Sequence, residues 1–338
     1  MARDTPGSRV SARRALVTGV AGQDGSYLSE LLADRGYEVV GAVRPGRSGA
    51  AHERLGAVAE RLELVEADLL DGRSLRRVVA ETAPDELYHL AAPTFVPASW
   101  EDPTETLQAI AGGTATLLAA SLALGPRAPR IWVSSSSEIF GDAGESPQHE
   151  RSPMRPRTPY GVAKLAAHGL VGALRAHQRL FACSGITFNH ESPRRPQRFL
   201  PRKVTRGVAA ISLGLESELV LGDLGAVRDW SHAADVARGA WMALQAPEAG
   251  DYVLASGVGR TVGDLVEAAF AHVGLDPERY VRVDPALVRP PESTPMVGDP
   301  TRARTVLGWE PEHSFEDTIA EMVDADVARL RRERGATG

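Results

Sequence analysis

The side chains best suited to acid–base chemistry include Tyr160 and Lys164, which are four positions apart. On a helix, residues at this spacing lie on the same face. An ammonium group beside a phenol lowers the pKa of the phenol, because the positive charge favours phenolate. The pair therefore predicts a tyrosine that accepts the proton of a sugar hydroxyl while a hydride leaves the same carbon.

A second reactive group follows the apolar run Ile131–Ser134, which is typical of a strand. The hydroxyl of Ser136 can hydrogen-bond the substrate hydroxyl that is oxidised. Glu138 adds an acid–base group that oxidation alone does not need. Loss of water does need it, because one proton leaves carbon and another reaches the departing hydroxyl. Ser136, Glu138, Tyr160 and Lys164 together predict oxidation coupled to elimination.

A glycine-rich turn near the N-terminus indicates a dinucleotide. It follows the predicted strand Ala15–Thr18 and precedes the predicted helix Gly25–Arg35. Glycine lets the backbone turn tightly and approach a pyrophosphate, and the helix N-terminus offers free N–H groups to the anion. The predicted contacts in this segment are Gly19, Gly22, Gln23, Asp24 and Gly25.

The end of the second predicted strand indicates which dinucleotide binds. An acidic residue usually occurs here when the ligand is NAD, whereas arginine suits the 2′-phosphate of NADP. Arg44 and Arg47 stand at this place, so we expect NADP. After the third predicted strand, Asp68 and Leu69 are placed to contact adenine.

The elements that must position these residues alternate along the first half of the chain, which predicts right-handed crossovers and a parallel sheet covered on both faces. We therefore expect an α/β, Rossmann-like doubly wound fold with a smaller α/β substrate-binding cap. The predicted strands are Ala15–Thr18, Glu38–Val43, Leu62–Val65, Leu87–Leu90 and Ile131–Ser134, and the predicted helices are Gly25–Arg35, Gly72–Glu81 and Thr104–Leu124.

The second half is less regular, with proline-rich segments at 194–202 and 288–295 between helical patterns. We expect a flexible tail over 1–11, a dinucleotide-binding domain over about 12–188 and a cap over about 189–338. Crossings back to the main sheet are expected at about 219–258. The ligand should lie between cap and sheet, at the carboxyl ends of the strands. Four helices are predicted here: Lys203–Leu213, Ala233–Leu244, Val262–Val273 and Phe315–Arg331.

The composition narrows the class of protein. The 338 residues carry 38 basic and 44 acidic side chains, a net charge of -6, which argues against a nucleic-acid-binding face. The longest apolar stretch, near Thr116–Leu124, is too short for a membrane span, so no membrane partner is expected. The single cysteine, Cys183, lies in a run typical of a buried strand and indicates a reducing cytoplasm. The histidines show no paired ligand spacing, so no metal site is expected.

Taken together, these motifs resemble those of the extended short-chain dehydrogenase/reductases, and most closely the GDP-mannose 4,6-dehydratases. The resemblance runs from about Ala15 to the C-terminal helix. Its segments are Thr18–Glu30 (TGVAGQDGSYLSE), Tyr88–Ala92 (YHLAA), Ser136–Gly141 (SSEIFG), Pro156–Leu165 (PRTPYGVAKL), Phe188–Arg195 (FNHESPRR), Leu221–Asp235 (LGDLGAVRDWSHAAD) and Arg289–Glu292 (RPPE).

The resemblance implies catalytic roles for the four residues named above, and it assigns further contacts. Cofactor contacts are implied at Gly19–Asp24, Arg44, Asp68, Leu69, Leu90, Ala91, Ala92, His190 and Arg195, and we add Tyr160 and Lys164. Contacts with the nucleotide sugar are implied at Asn189, Lys203, Arg228, Arg289 and Glu292, with Ser136 and Glu138 at the sugar. A homodimer or homotetramer is also expected.

The chain departs from the family pattern at three places. Ser136 stands where the family usually has threonine, and Pro45 where it has a second arginine, in a loop associated with tetramer contacts. The family run Ala-Gln-Ser-His-Val becomes Ala92-Pro93-Thr94-Phe95-Val96, in which Thr94 is a predicted sugar contact. Pro93 and Phe95 replace two polar groups close to the sugar, so the hexose or the reaction on it could differ.

The favoured hypothesis is NADP-dependent dehydration of a GDP-hexose, GDP-mannose above all, to its 4-keto-6-deoxy form. Two alternatives remain open at this point. One is another nucleotide-sugar enzyme of the same superfamily, such as an epimerase, a decarboxylase or a 4-keto reductase. The other is a non-catalytic NADP-binding protein, which would have no need for Ser136, Glu138, Tyr160 and Lys164 together.

Overall fold

The computed structural model describes residues 12–288 and 294–335, without the side chain of Glu53. The predicted tail at 1–11 lies outside these residues, as do Arg289 and Glu292. Strands and helices alternate through the first half: β1 (Arg14–Thr18), α1 (Gln23–Asp34), β2 (Glu38–Val43), α2 (Ser48–Leu55), β3 (Leu62–Glu66), α3 (Gly72–Thr82), β4 (Glu86–His89), α4 (Pro103–Leu107), α5 (Gly113–Leu122), β5 (Arg130–Ser134), α6 (Pro159–Gln178) and β6 (Ala182–Thr187).

The second half mixes shorter strands with longer helices. Its elements are β7 (Asn189–Glu191), α7 (Leu200–Ser212), β8 (Leu219–Leu221), β9 (Val227–His232), α8 (Ala233–Gln245), β10 (Asp251–Leu254), β11 (Gly259–Thr261), α9 (Val262–His272), β12 (Val281–Val283) and α10 (Phe315–Gly335). The four helices predicted here are present with bounds shifted by a few residues. The short strands were not predicted, because three-residue strands carry too little periodicity to be recognised.

The main sheet has seven strands in the order β10-β6-β5-β4-β1-β2-β3, and every pairing is parallel. The predicted doubly wound α/β fold is therefore confirmed. Its central strands are continuous apolar runs because helices cover both faces; all six residues of β6 are buried. The chain leaves β1 toward β2 on one side and reaches β4 on the other, which opens a crevice at their carboxyl ends.

Part of the second half returns to the main sheet. β10 extends it by pairing with β6, and α8 packs against α1. The remaining strands form a three-stranded sheet, β11-β9-β7, and a two-stranded sheet, β12-β8. α7, α9 and α10 cover them around a core that includes Trp230, Phe270 and Met322. The cap is thereby fixed to the carboxyl edge of the main sheet.

The segment predicted as one helix over Thr104–Leu124 is divided in the structure. A π-helical turn at Gln108–Gly112 separates α4 from α5. Two consecutive glycines, Gly112 and Gly113, lower the helix propensity at this point. The turn places Ile110 in a buried cluster with Tyr160. π-Helical turns of this kind often occur at functional sites.

Candidate active site

The glycine-rich turn after β1 has the backbone that the sequence predicts. Gly19 has a φ of +72°, and a Cβ atom there would lie 2.8 Å from the backbone nitrogen of Ala91. A Cβ atom on Gly25 would lie 2.3 Å from the carbonyl oxygen of Gly19. No side chain caps α1 at Gly22, so its first N–H groups face the turn. This arrangement fits a pyrophosphate at the helix N-terminus.

A cavity of about 580 Å³ opens beside this turn at the carboxyl edge of the sheet. Eight of the residues predicted to hold the cofactor line it: Gly19, Gly22, Arg44, Arg47, Asp68, Leu69, Ala91 and Ala92. Leu90 precedes them on the same loop, and its N–H group donates to Thr18 Oγ1 at 3.2 Å. The cavity is large enough for a dinucleotide to be partly enclosed.

The loop after β2 shows what replaces the second arginine of the family pattern. The N–H group of Arg47 donates to the carbonyl oxygen of Arg44 at 3.0 Å, and Gly46 has a φ of +71°. Pro45 and Gly46 are thus the central residues of a type II turn, which requires positive φ at its third position. Pro45 therefore brings Arg44 and Arg47 to the same cavity.

Arg54 is a cavity residue that sequence reasoning missed. It lies on α2 and lines the cavity together with Arg44 and Arg47. Because an exposed arginine on a short helix is ordinary, no local signal marks it. With three guanidinium groups at one end, the cavity suits a ligand that carries a phosphate there.

Tyr160 and Lys164 lie in the first turns of α6, as the motif predicts. Thr158 caps this helix by accepting a hydrogen bond from the N–H group of Gly161 at 3.0 Å, and Pro159 follows it. Lys164 Nζ donates to the carbonyl oxygen of Ser134 at 2.6 Å and lies 5.7 Å from the centroid of the Tyr160 ring. The helix start thus anchors the pair against the end of β5.

Ser136 and Glu138 reach the same place from the end of β5. The Ser136 hydroxyl accepts a hydrogen bond from the N–H group of Glu138 at 3.2 Å, and its interaction with the Tyr160 phenol lowers the pKa of that phenol. Glu138 Oε2 accepts a hydrogen bond from the Thr158 hydroxyl at 3.2 Å. Thr158 was not among the predicted site residues, although Thr-Pro before an apolar-periodic segment is a known helix-start signal.

The protonation of this group is set by burial and by its neighbours. Burial raises the pKa of the Tyr160 phenol well above its ordinary value, its hydrogen bond with Ser136 lowers it, and the charge of Glu138 raises it again. Burial also lowers the pKa of Lys164 to about 8. Without a bound cofactor, Tyr160 is therefore protonated at neutral pH and needs further positive charge to act as a base.

Gln23 and Asp24 join α1 to β7 rather than lining the main cavity. Gln23 Nε2 donates to the carbonyl oxygen of His190 at 3.0 Å, and Asp24 pairs with His190 Nε2 at 3.0 Å. Burial opposes the charge on Asp24, but the charge of His190 and their hydrogen bond lower the pKa of Asp24 to about 2. The sequence placed these residues near the cofactor, and the structure shows that they also hold the two halves of the chain together.

A second, smaller cavity of about 410 Å³ adjoins the first, with Ala21, Gly22 and Arg54 lining both. Arg195 borders it, with Nε 3.1 Å from Glu191 Oε2. The cavity is strongly basic, and most of its arginines are paired with carboxylates. Its arginines are Arg54, Arg194, Arg195, Arg202, Arg206 and Arg329. It extends the positive charge around the glycine-rich turn.

The residues predicted to bind the nucleotide sugar lie mainly on the cap. Asn189 begins β7, and Arg228 on β9 donates to the carbonyl oxygen of Val227. Lys203 on α7 donates to the carbonyl oxygen of Val220 at 2.8 Å. Thr94 is exposed on the loop after β4. None of these four residues lines either cavity in the described part of the chain.

Cys183 is fully buried on β6, and burial raises the pKa of its thiol to about 11, so it is not a nucleophile at neutral pH. Among residues 12–288 and 294–335, no group of three or more His, Cys, Asp or Glu side chains could hold a metal ion. Within the same residues, no helix combines the length and the apolar character that crossing a bilayer requires.

Comparisons with known proteins agree with the sequence resemblance. Residues 16–322 match the family model for GDP-mannose 4,6 dehydratase. A GDP-mannose 4,6-dehydratase of Sinorhizobium fredii is 42% identical, with 95% of this chain and 98% of that protein aligned. GDP-mannose 4,6 dehydratase 2 of Arabidopsis thaliana is 40% identical, with 95% and 88% aligned.

A similar fold is found in RMD from Pseudomonas aeruginosa, whose structure contains NADPH. The two chains are 27% identical with a TM-score of 0.78, over 94% of this chain and all of that one (100%). The chain belongs to the GDP-mannose 4,6-dehydratase family.

Proposed function

We propose that this chain dehydrates GDP-mannose to GDP-4-keto-6-deoxymannose, with NADP as its nicotinamide cofactor and with Ser136, Glu138, Tyr160 and Lys164 as its catalytic residues. One observation carries the proposal. The Ser136 hydroxyl accepts a hydrogen bond from the backbone of Glu138 and lowers the pKa of Tyr160, so a hydroxyl, a phenol and a carboxyl group lie together, and the cluster that contains Tyr160 packs against Ala92 of the cavity lining. An enzyme that only oxidised the sugar would not need the carboxyl group.

The residues present fit a bound nicotinamide dinucleotide. The glycine-rich turn is tight enough for its backbone to approach a pyrophosphate. This tightness requires glycine, because a Cβ atom at Gly19 or Gly25 would collide with nearby backbone atoms. Arg44, Arg47 and Arg54 suit the 2′-phosphate, which supports NADP over NAD. A bound nicotinamide would supply the hydride chemistry, taking a hydride from C4 of the hexose and giving it back at C6. C5 regains a proton at that stage, which balances the proton that Tyr160 removed from the C4 hydroxyl, so that no external reductant is consumed.

Tyr160 acts first in this mechanism. It takes the proton of the C4 hydroxyl as that carbon is oxidised, while Ser136 hydrogen-bonds the same oxygen. The Lys164 ammonium, 5.7 Å from the centroid of the Tyr160 ring, favours phenolate against the burial that raises the pKa of Tyr160, and an oxidised nicotinamide bound nearby would add positive charge in the same sense. The 4-ketone that forms makes the proton on C5 acidic.

Glu138 then carries out the elimination. Its carboxylate removes the C5 proton, and the resulting carboxylic acid protonates the C6 hydroxyl, which leaves as water. One group can serve both steps because the proton it removes is the proton it delivers.

We assign the GDP moiety to the cap. Asn189, Lys203 and Arg228 would hold its phosphates, with Arg289 and Glu292 at the nucleoside. Thr94 would contact the hexose. These assignments rest on the family pattern and, for Asn189 and Arg228, on the pairing of β7 with β9.

The variant Glu138→Gln tests the proposal. It keeps the size and one hydrogen-bond acceptor but cannot exchange a proton, so we expect at least about a 100-fold loss of dehydration. NADP affinity should be unchanged, and the exposed control Glu101→Gln should behave as the wild type. Dehydration at the wild-type rate by Glu138→Gln, measured by mass spectrometry of the sugar nucleotide, would reject the role of this residue.

We also propose that the chain forms a homodimer or homotetramer. Val162 and Leu170 on α6 are 49% and 36% exposed, and Leu107 on the adjoining α4 is 46% exposed. Apolar side chains on two neighbouring helices favour burial against a second copy. Light scattering that returned only the mass of one chain, 36.0 kDa, would contradict this.

A further inference from the structure

The start of α6 and the segment after β5 are joined by their backbones. The N–H group of Arg155 donates to the carbonyl oxygen of Phe140 at 3.0 Å, and the N–H group of Asp142 donates to the carbonyl oxygen of Arg155 at 3.2 Å. A Cβ atom on Gly161 would lie 2.6 Å from the carbonyl oxygen of Glu138, so this close approach requires glycine. The two segments are therefore fixed against each other at the place where they carry the reacting groups.

The side chain of Thr158 lies between these two segments. Its hydroxyl accepts a hydrogen bond from the N–H group of Gly161 at 3.0 Å and donates one to Glu138 Oε2 at 3.2 Å. An amide N–H group can only donate and an ionised carboxylate can only accept, so the direction of both bonds is set. The single proton of the Thr158 hydroxyl is thus directed at the carboxyl group, while its oxygen caps the helix.

Tyr160, two residues further along the chain, is held by other contacts. It is 7% exposed and packs in a buried cluster with Ile110 and Ala163. Lys164 anchors the next turn of α6 to the end of β5, with its ammonium 2.6 Å from a backbone carbonyl oxygen. Loss of the Thr158 hydroxyl would therefore disturb the carboxyl group of Glu138 much more than the phenol.

We infer that Thr158 is a positioning residue for the elimination step: its hydroxyl sets the direction in which Glu138 presents its carboxyl group to C5 and C6 of the hexose. The inference rests on the proposed role of Glu138. One carboxyl group has to take a proton at C5 and release it at the C6 oxygen, so its orientation must suit both atoms. A displacement of about 1 Å can slow such a step about 100-fold. Oxidation at C4 makes no use of this group.

Thr158→Val tests the inference, because valine has nearly the same shape as threonine and lacks the hydroxyl. With GDP-mannose and NADP, we expect kcat to fall roughly 10- to 100-fold. Oxidation continues, so the absorbance of NADPH should build up before water is lost. Deuterium at C5 of the substrate should slow this variant more than it slows the wild type, because removal of that proton then limits the rate. A merely structural role would produce neither of these two signs.

Two further substitutions separate the direction of the carboxyl group from the capping of α6. Thr158→Ser keeps both hydrogen bonds and should behave as the wild type. Aspartate caps a helix at least as well as threonine, but at neutral pH it has no proton to donate to Glu138. Thr158→Asp should therefore keep the wild-type Tm and lose elimination at least as severely as Thr158→Val.

Thr261→Val is the matched control, because Thr261 caps α9 by accepting a hydrogen bond from the N–H group of Asp264 at 3.0 Å. It should lower the Tm about as much as Thr158→Val does, with kcat and the isotope effect unchanged. Elimination at the wild-type rate by Thr158→Val or Thr158→Asp would overturn the inference. So would a slower Thr158→Val that shows neither accumulated NADPH nor a larger isotope effect.

Glu138→Gln separates this inference from the proposed function. If Glu138→Gln accumulates NADPH and releases no water, the proposed function is supported, and the Thr158 variants decide the inference alone. If Glu138→Gln dehydrates the sugar at the wild-type rate, the proposed function fails whatever the Thr158 variants show.

Discussion

Lys164 holds a charge where the protein disfavours charge. It is 5% exposed, its ammonium donates a hydrogen bond to the carbonyl oxygen of Ser134, and burial lowers its pKa to about 8. Below that pH the folded protein contains a buried ammonium that the unfolded chain would hold in water. Such an arrangement lowers stability and is retained in proteins where function requires it.

Lys164→Met should therefore be more stable than the wild type at pH 7, by about 1–3 kcal/mol, although it is inactive. The folded state loses the proton near pH 8 and the unfolded state near 10.5, so wild-type stability rises with pH between these values and the difference shrinks. Denaturant unfolding of the cofactor-free proteins measures this. Lys203→Met, at an exposed lysine, should show no such dependence. A Lys164→Met variant that is less stable than the wild type, by an amount that does not change with pH, would contradict this prediction.

Arg44 offers a test of cofactor choice at the same scale. If it contacts the 2′-phosphate, Arg44→Ala should weaken NADP binding about 10–100-fold, since hydrogen bonds between charged groups contribute about 1.5–3 kcal/mol. NAD lacks this phosphate, so its affinity should hardly change. Titration calorimetry gives both constants, with Arg127→Ala as an exposed control. Equal losses for the two dinucleotides would argue against the 2′-phosphate contact.

Some residues of the site could be predicted from the sequence, and others could not. Tyr160, Lys164 and the glycine-rich turn were predicted because their spacing is local and their chemistry restricts the residue type. Arg54 was missed because its helix position carries no signal of its own. The contact of Thr158 with Glu138 was also beyond sequence reasoning, because it depends on which segments the fold brings together.

Among the elements, α1 and β7 are joined by a partly buried ion pair that the sequence did not reveal. Asp24 Oδ2 lies 3.0 Å from His190 Nε2. The pKa of Asp24 is lowered from 3.8 to about 2, so the folded state gains stability above about pH 4 and loses it as pH falls through 2. Asp24 raises the pKa of His190 above its ordinary value of 6.5, although burial acts in the opposite direction. The stability that protonated His190 contributes is therefore fully present below pH 6.5 and is lost as the pH rises through its folded-state pKa.

Asp24→Asn should therefore be less stable than the wild type by about 2 kcal/mol near pH 5.5, where both charges are present. The deficit should narrow above the folded-state pKa of His190, since the wild type then also lacks the pair. Thermal unfolding across this range without cofactor measures it. As a control, Asp34→Asn removes an exposed ion pair with Arg61 and should lower the stability little at any pH. A deficit that grew with pH would contradict this reading.

Most of the element pattern of the first half followed from the sequence, because most strands and helices there are long enough to show their own period, but the short helix α2 was not predicted. Thr104–Leu124 was predicted at its full length, but the π-helical turn inside it was not, since one extra residue per turn leaves the apolar pattern nearly unchanged. The cap strands were missed because four of the five have only three residues, and a strand that short is fixed by its partners rather than by its own sequence.

At the scale of the whole molecule, a parallel sheet gathers the carboxyl ends of its seven strands at one edge. The glycine-rich turn, the arginines after β2 and the Ser136–Glu138 segment all leave the sheet there. The second half closes over this edge and is held by β10, α8 and the Asp24–His190 pair. The central claim is that oxidation, loss of water and reduction occur within this one enclosed space.

Incubation with GDP-mannose that carries deuterium at C4, without added reductant, tests this claim most directly. The account predicts a product one water lighter than the substrate, with the deuterium retained and found at C6 by NMR, because the same bound nicotinamide takes and returns the hydride. A product of unchanged mass, or one that had lost the label to solvent, would contradict it.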